Sequence, residues 1–418
     1  MAKEKHGERV LLLATAQSYR IAAFEAAAER LGVEVLRGRD VPLPMMEDLE
    51  ASGELLLDYR DLEESSKKVE KFAGEEGLGA ILGLDDSGTL LAARASERLG
   101  LAHNAVASAL AARNKHVMRQ KFAEGGAPSP KFRYCRVDED VEVITAEVNY
   151  PCVVKPVTLS GSRGVMRADD PDELVRQIGR LKQILGRERC EEYLVEDYIA
   201  GTEVALEGLM DDGELQVLAL FDKPDPLEGP FFEETIYVTP SRLDEQQQHE
   251  VIEAARKGAA ALGLRTGPVH AELRVNDDGA WLVEMAGRSI GGRCSESLHF
   301  QMDMTLEELI LRQALGMDMS GVKRTERAEG VMMIPIPGAG LLKGVEGVEA
   351  AQAVKGVTGV EISAQLNQRL TPLPEGDSYL GFIFVSGERP EDVEASLREA
   401  HGKLRFEVQE EIRLAVSD

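Results

Sequence analysis

Cysteine is scarce in this chain. Its 418 residues contain four cysteines, Cys135, Cys152, Cys190 and Cys294, which are far apart and never form a Cys-x-x-Cys pair. A disulfide framework and a zinc knuckle both need characteristic cysteine spacings, so neither is indicated. We expect reduced thiols, most of them buried as small apolar side chains.

Long apolar runs are also absent. No stretch approaches the roughly 18 apolar residues of a transmembrane helix. The start, Met1–Ala16, superficially imitates a secretion signal, because basic residues precede the apolar run Val10–Leu13. That run is too short for a signal, and Arg20–Ala26 continues it as an amphipathic helix, which predicts a strand followed by a helix. We therefore expect a cytoplasmic protein.

Positive charge is in the minority. The sequence has 48 lysines and arginines against 74 aspartates and glutamates, which gives a formal net charge of −26. The resulting field repels nucleic acids and anionic membrane surfaces, so we expect neither as a partner. A nucleotide is not excluded, because a local cluster of lysine and arginine can hold phosphates on an otherwise acidic protein.

The order of apolar segments predicts several domains. In residues 1–110, the short apolar runs Val10–Ala14, Val33–Leu36 and Ala80–Leu84 are separated by helical patterns, which predicts a small parallel sheet with crossover helices. The last part of the chain changes to repeated Gly-Val units and the strand-like run Gly381–Val385, which predicts a separate α+β domain.

The most informative stretch is a predicted hairpin. Period-two alternation puts His270 and Glu272 on one face of its first strand, and if Asn276 faces Ala280, then Glu272 faces Glu284. Two facing carboxylates repel unless a cation or a proton lies between them. A magnesium ion, which prefers oxygen ligands and keeps substrate phosphates in its shell, would resolve the conflict. Two solvated glutamates in a surface hairpin are the alternative.

Two lysines and a glycine-rich loop precede the hairpin. Lys155 lies in the apolar strand Tyr150–Pro156, and the loop Ser160–Gly164 follows. A lysine beside hydroxyls, glycines and an arginine suits a polyphosphate, but a plain turn between strands has the same composition. The chain contains no Gly-x-x-x-x-Gly-Lys-[Ser/Thr] motif, so it is not a P-loop protein. Lys115, at the start of an earlier helix, is by itself typical of an exposed lysine.

A predicted strand and a short loop lie between the lysines and the hairpin. The strand is Tyr193–Ile199, and Gly201–Glu203 leads into a second strand. An edge backbone there could imitate base pairing with adenine, and Glu203 could accept hydrogen bonds from ribose hydroxyls. A structural hairpin is the alternative.

Taken in order, these segments resemble the ATP-grasp superfamily. The matching elements are Lys115, Lys155 with its Ser-Gly-Ser-Arg-Gly loop, Val195–Glu203, His270-x-Glu272 and Glu284-x-x-x-Arg288. The resemblance covers about residues 10–315, and its specificity lies in the combination and spacing. It implies a mixed α/β and α+β fold: a Rossmann-like pre-grasp domain at 1–110, an ATP-grasp domain at 111–320 with a mobile lid at about 135–195, and a C-terminal α+β domain at 321–418.

The resemblance also implies roles for individual residues. Those expected to bind ATP are Lys115 and Lys155 at the phosphates, Ser160, Gly161, Ser162, Arg163 and Gly164 in the loop that closes over them, Glu196, Asp197 and Ile199 around the adenine, and Glu203 at the ribose. Glu272 and Glu284 would hold magnesium, with manganese as an alternative, and Arg288 would steady an acyl phosphate. His270 either orients the substrate or Glu272 or is a structural histidine. Ala286 replaces the asparagine of many ATP-grasp enzymes.

Within the superfamily the chain resembles the L-amino acid ligase branch, which makes dipeptides. The similar segments are Lys223, Phe231–Glu234, Pro240, Ala328–Pro335, Thr371–Ser378 and Gly381–Val385. This resemblance implies an ADP-forming carboxylate-amine ligase that acts on small molecules, with an amino acid as substrate, and works as a homodimer. The alternatives are a bicarbonate-activating enzyme similar to biotin carboxylase and an ATP-binding module without chemistry.

Overall fold

The computed structural model describes residues 9–15, 18–41, 54–188 and 190–410. Residues 1–8 and 16 of the signal-like stretch lie outside the described residues. Within the described ranges, no helix combines the length and the apolar character that crossing a bilayer requires.

The N-terminal domain is a parallel four-stranded sheet with helices between its strands. Its elements are β1 (Arg9–Ala14), α1 (Ile21–Leu31), β2 (Glu34–Asp40), β3 (Leu55–Leu57), α2 (Leu62–Glu76), β4 (Ala80–Gly83) and α3 (Asp86–Leu99). The strand order is β3-β2-β1-β4. β1 is buried from Val10 to Ala14, as a central strand covered on both faces requires. The predicted parallel sheet with crossover helices is confirmed.

Two short helices lead from this domain toward the lid: α4 (Val106–Arg113) and α5 (Lys115–Gly125). The Asn114 side chain caps α5 by accepting hydrogen bonds from the amides of His116 and Val117. The cap fixes where the helix begins, so that Lys115 and Arg119 lie one turn apart on its buried face.

The region predicted as the lid, called the lid below, contains an antiparallel sheet with two helices. Its elements are β5 (Phe132–Arg136), α6 (Val141–Glu147), β6 (Cys152–Pro156), β7 (Met166–Ala168), α7 (Pro171–Glu188) and β8 (Glu192–Asp197), with strand order β5-β8-β6-β7. α7 buries Leu174, Ile178, Leu181 and Leu185, whose spacing forms one apolar stripe against the sheet. Cys135 and Cys152 are buried in the same core; of the other two cysteines, Cys294 is buried and Cys190 half-buried.

The largest sheet has eight strands and crosses the predicted boundary at residue 320. Its first part contains β9 (Thr202–Asp211), β10 (Glu214–Asp222), β11 (Ile236–Thr239), α8 (Glu245–Leu262), β12 (Gly267–Asn276) and β13 (Gly279–Ala286), followed by β14 (His299–Phe300), β15 (Met304–Thr305) and α9 (Leu306–Ala314). The C-terminal part contains β16 (Ala328–Ile334), β17 (Gly340–Glu346), α10 (Val348–Gln352), β18 (Val357–Ile362), β19 (Arg369–Leu370), β20 (Gly381–Gly387), α11 (Pro390–Lys403) and β21 (Arg405–Gln409).

The strand order of this sheet is β13-β12-β9-β10-β11-β16-β20-β18, while β19, β17 and β21 form a small sheet of their own. β11 pairs with β16 antiparallel, with Val238 opposite Gly330. The C-terminal α+β region therefore continues the sheet of the preceding region. The domain limits given above stay predictions.

The passage from the lid to the central sheet corrects two expectations. β8 lies between β5 and β6, so its backbone is not a sheet edge, and β8 and β9 belong to different sheets, so they form no hairpin. Gly201, just before β9, has a φ of 127°, and a side chain there would collide with the carbonyl oxygen of Val275. The chain can cross between the two sheets here because this residue is glycine.

Candidate active site

A cavity of about 470 Å³ lies where the N-terminal domain, the lid and the central sheet meet. The predicted site residues that line it are Lys115, Lys155, Ser160, Gly161, Ser162, Glu196, Asp197, Ile199, Glu203, His270, Glu272, Glu284 and Arg288. Arg163 and Gly164 are not among the lining residues. The fold thus brings together segments that are far apart in sequence.

The two carboxylates of the hairpin face each other. Glu272 on β12 is the register partner of Glu284 on β13. The premise behind that expectation is wrong, because Asn276 pairs with Gly279 and not with Ala280. A β-bulge corrects the register: Leu273 pairs with Leu282, so Val283 is one extra residue between the two pairs.

Both carboxylates lie beside basic side chains of the protein. Glu284 Oε1 lies 3.0 Å from Lys115 Nζ, and Glu272 Oε1 lies 3.5 Å from Lys223 Nζ and 3.4 Å from His270 Nε2. Burial raises the pKa of Glu272, but Lys223 and His270 outweigh it and hold that pKa well below its ordinary value. The Glu272 side chain is therefore ionised, as a metal ligand must be.

A second group of carboxylates, Glu203, Glu234 and Glu272, could also surround a cation, since one oxygen of each lies within 4.8 Å of the others. The ammonium of Lys223 already occupies this position, with its Nζ 2.8 Å from Glu203 Oε1 and 2.5 Å from Glu234 Oε1. The facing carboxylates of Glu272 and Glu284 offer hard oxygen ligands of the kind that magnesium prefers, so this pair could hold the ion.

Lys155 belongs to a buried charge cluster that sequence reasoning missed in part. Glu196 Oε2 accepts from Lys155 Nζ at 2.6 Å, and Glu196 Oε1 lies 2.8 Å from Nε of Arg119. Burial, with a smaller contribution from Arg119, outweighs the opposing effect of Glu196 and lowers the pKa of Lys155 to about 8. Arg119 also donates to the Val283 carbonyl at 2.5 Å. Arg119 lies four residues after Lys115 on α5, and residues four apart share a helix face. This spacing could have indicated that Arg119 also points toward the site.

Lys115 is buried, which corrects the expectation of an exposed lysine. Its side chain is 5% exposed, and its Nζ donates to the Leu159 carbonyl at 2.8 Å as well as contacting Glu284. Lys115 therefore connects strand β13 to Leu159, the residue just before the loop Ser160–Gly164. A phosphate in the cavity would meet an ammonium already held in place.

The predicted adenine and ribose residues are tied to their neighbours. The Glu196 carboxylate is 3% exposed and bound to Arg119 and Lys155, so its side chain belongs to this cluster. Arg274 donates from Nη1 to the Ile199 carbonyl at 3.1 Å and from Nε to Glu203 Oε2 at 3.0 Å. Arg274 thereby fixes the segment expected to frame the nucleotide.

His270 on β12 is held by a carboxylate of the neighbouring strand β9. Glu207 is the register partner of His270, and the imidazole lies between two carboxylates, 3.3 Å from Glu207 and 3.4 Å from Glu272. Burial lowers the pKa of His270, but the two carboxylates outweigh it and raise that pKa to about 9. Glu207 is anchored by the Ile290 amide at 3.1 Å. This arrangement favours the interpretation that His270 orients Glu272.

Arg288 is held by a residue of the N-terminal domain. Its Nε and Nη2 each lie 2.7 Å from an oxygen of Asp86, which makes a bidentate pair. Asp86 begins α3, 202 residues away in the chain. No local pattern pointed to this partner.

The lid loop Ser160–Gly164 faces the cavity only in part. Ser160, Gly161 and Ser162 line it, whereas Arg163 donates from Nε to the Glu375 carbonyl at 3.1 Å. The structure therefore does not place Arg163 among the residues that line the cavity, and its role at the phosphates stays a prediction.

Comparison with known families agrees with this geometry. Residues 148–297 match the ATP-grasp domain, so this part of the chain is a domain of that superfamily. Residues 332–409 match the L-amino acid ligase C-terminal domain 2, a domain of the predicted branch. The predicted superfamily, branch and fold class are confirmed.

Individual relatives are similar over most of the chain. Alanine–anticapsin ligase of Bacillus subtilis (strain 168) is 28% identical over 314 residues, which are 69% of this chain and 66% of that ligase. The crystal structure of an L-amino acid ligase from Bacillus licheniformis superposes with a TM-score of 0.82 at 25% identity and covers 97% of this chain and 100% of that one. The biotin carboxylase domain of the Hydrogenobacter thermophilus 2-oxoglutarate carboxylase, solved with magnesium ADP, has a TM-score of 0.67 at 18% identity over 96% of this chain and 91% of that one, which shows the fold alone.

Proposed function

We propose that this protein is an ADP-forming carboxylate-amine ligase that joins two amino acids through an acyl phosphate. The observation that carries the proposal is the facing pair Glu272 and Glu284 in one cavity with Lys115, Lys155 and Arg288. The similarity to an L-amino acid ligase and to alanine–anticapsin ligase supports the choice of substrates.

Magnesium, held by Glu272 and Glu284, would draw charge from the phosphates of ATP and so assist phosphoryl transfer. The chain itself supplies fixed positive charge. Lys115 and Lys155 would bind phosphate oxygens, and their positions on a capped helix and a central lid strand preorganise them. Because phosphoryl transfer needs positioning more than covalent help, no nucleophilic side chain is required.

The bond changes follow from this arrangement. An oxygen of the substrate carboxylate attacks the γ-phosphorus of ATP, and ADP leaves. The nitrogen of the second substrate then attacks the activated carbonyl carbon, phosphate leaves, and the nitrogen loses a proton to give the amide. Arg288, fixed by Asp86, would face the negative charge that develops in both steps.

Water must be kept from the acyl phosphate, and the lid is placed to do this. Lys115 ties the Leu159 carbonyl to the wall of the cavity, so the lid loop lies across it. His270, paired with Glu207, would keep Glu272 turned toward the metal. In these two roles Lys115 and His270 act by positioning, and neither forms a covalent bond to substrate.

The test incubates the protein with ATP, magnesium and pooled amino acids, and follows ADP release and products by mass spectrometry. We expect amino-acid-dependent ADP release with a dipeptide mass. Release that depends on bicarbonate instead supports a carboxylase, and nucleotide binding without turnover supports a non-catalytic module; either result sinks the ligase proposal.

A matched pair of variants examines the metal assignment. Glu284→Gln keeps the shape of the side chain and removes its charge, and we expect phosphate release to fall at least about hundredfold. Glu253→Gln on α8 removes an equal charge, one that pairs with Arg256 on the same helix, and should leave turnover unchanged. Full activity in Glu284→Gln with an intact fold would remove the metal from this carboxylate.

We also propose a cytoplasmic homodimer. The four free cysteines suit a reducing compartment. The resemblance to L-amino acid ligases supports the dimer, and light scattering after size-exclusion chromatography would test it: a monomeric mass at micromolar concentration contradicts it.

A further inference from the structure

We infer that the segment Thr371–Asp377, here called the C-terminal loop, holds the lid loop closed, and that Arg180 and Glu375 are the positioning pair of this latch. The inference rests on the proposed function, since a closed lid loop matters only if the cavity protects a reactive intermediate.

Backbone and side-chain contacts join the two loops. The Gly164 amide donates to the Pro374 carbonyl at 2.9 Å, and Arg163 Nε donates to the Glu375 carbonyl at 3.1 Å. A side chain on Gly161 would come within 3.2 Å of Asp377 Cβ, so the backbones approach closely there as well. The C-terminal loop therefore follows the lid loop over most of its length.

An ion pair completes the contact. Arg180 on α7 places Nε 2.6 Å and Nη2 2.9 Å from the two carboxylate oxygens of Glu375. This bidentate geometry fixes the orientation of both side chains. Arg180 also lies over the Phe231 ring at 5.0 Å, so the arginine is held from a second side.

The C-terminal loop is compact enough to act as a fixed support. The Gly376 amide donates to the Pro372 carbonyl at 3.0 Å, and a side chain at Gly376 would collide with the Thr371 carbonyl oxygen. β19 and β20 carry the two ends of the loop, so its position follows from the C-terminal sheets. Lys115 therefore bonds to Leu159 just before the lid loop, and the C-terminal loop bonds to Arg163 and Gly164 at its other end.

The exposure of the ion pair suits a contact that opens in every catalytic cycle. The Arg180 and Glu375 side chains are 40% and 29% exposed, so water can replace either partner. A pair of this kind shifts an equilibrium by about two- to fivefold, which biases the lid toward closure without trapping product.

Hydrogen exchange of the Gly164 amide in the nucleotide-free protein is the primary test, because this amide bonds directly to the latch. We expect Glu375→Gln to speed its exchange by about two- to fivefold and Glu375→Arg, which faces Arg180 with like charge, to speed it further. The exchanged pair R180E/E375R should return toward the wild-type rate. The latch is overturned if the Gly164 amide exchanges at the wild-type rate in both Glu375→Gln and Glu375→Arg. It is also overturned if R180E/E375R exchanges as fast as the faster of these two single variants.

Controls separate the latch from general loosening. Arg176→Glu reverses a charge on α7 one turn before Arg180. The Arg176 side chain is 66% exposed, and its contact with Glu173 is long, at 3.7 Å. Glu399→Gln removes a charge from α11 that pairs with Lys403. Both should leave Gly164 exchange and the midpoint of urea unfolding unchanged.

Release of a fluorescent ADP analogue in magnesium gives a second readout. We expect Glu375→Gln to raise its dissociation rate by about two- to fivefold and the exchanged pair to restore it. If the wild-type protein binds no ADP analogue, the proposed function fails, while the exchange measurement still decides the latch.

Discussion

The charge state of Lys155 should make nucleotide binding depend on pH within the range where most enzymes work. The pKa of this lysine is lowered from 10.5 to about 8, first by burial and further by Arg119, although Glu196 opposes both. Only the charged form attracts phosphate strongly. Raising the pH through 8 therefore removes a binding cation from the free protein, and bound phosphate would raise the pKa again.

The size of the effect follows from the pKa. About nine-tenths of the lysine is charged at pH 7 and about one-tenth at pH 9. If binding needs the charged form, the Kd for magnesium ADP rises about tenfold over this interval, or roughly 1.4 kcal/mol, and close to one proton is taken up per nucleotide at pH 9.

Isothermal titration calorimetry in buffers of different ionisation enthalpy measures both quantities. Lys155→Arg keeps its charge throughout and should give a flat profile between pH 7 and 9. Lys155→Met should bind more weakly at pH 7 and also show no slope. A constant Kd for the wild type, or the same slope in Lys155→Arg, refutes the assignment of this titration to Lys155.

Three further changes have defined outcomes. Arg119→Met leaves a buried carboxylate with one cation in place of two, and we expect unfolding in urea to lose about 3 kcal/mol, near the low end for breaking a buried pair; a loss under about 1 kcal/mol contradicts the cluster. Gly201→Ala should lower the free energy of unfolding by about 2 kcal/mol, measured by thermal unfolding, because the methyl group meets a carbonyl oxygen of β12. As its control, Gly179→Ala in α7 has open space around it and should raise that free energy by about 0.8 kcal/mol. Asp86→Asn should reduce kcat about tenfold with little change in KM for ATP, because Arg288 loses its bidentate support; an equal rise in KM would mean that Asp86 acts on nucleotide binding instead.

Local patterns were sufficient where the chemistry lies within one element. The alternation through β12 and the order of the lysines identified the facing carboxylates and the superfamily. The turn register was nevertheless wrong by one residue, and the right pair resulted only because Val283 is bulged. A bulge depends on how a strand pairs and packs with its neighbours, and the sequence of one strand does not contain the positions of those neighbours.

Partners from distant elements could not be read locally. Glu203 was expected to bind ribose, but its partners Arg274 and Lys223 were not foreseen; they reach it because β9 pairs with β12 and β10. Glu207 was overlooked although it is four residues from Glu203 in a strand, and such residues share a face. The same spacing could have found it had the whole of β9 been read this way.

The continuous eight-stranded sheet limits how this protein can be divided or recombined. A truncation at residue 320 would strip β16 from β11 and leave the ladder of Ile236–Thr239 open, which is a template for aggregation. Chimeras that exchange the C-terminal region would have to match a hydrogen-bonding register as well as a surface. In inheritance as in engineering, this region and the β11 strand are therefore expected to change together rather than as separate modules.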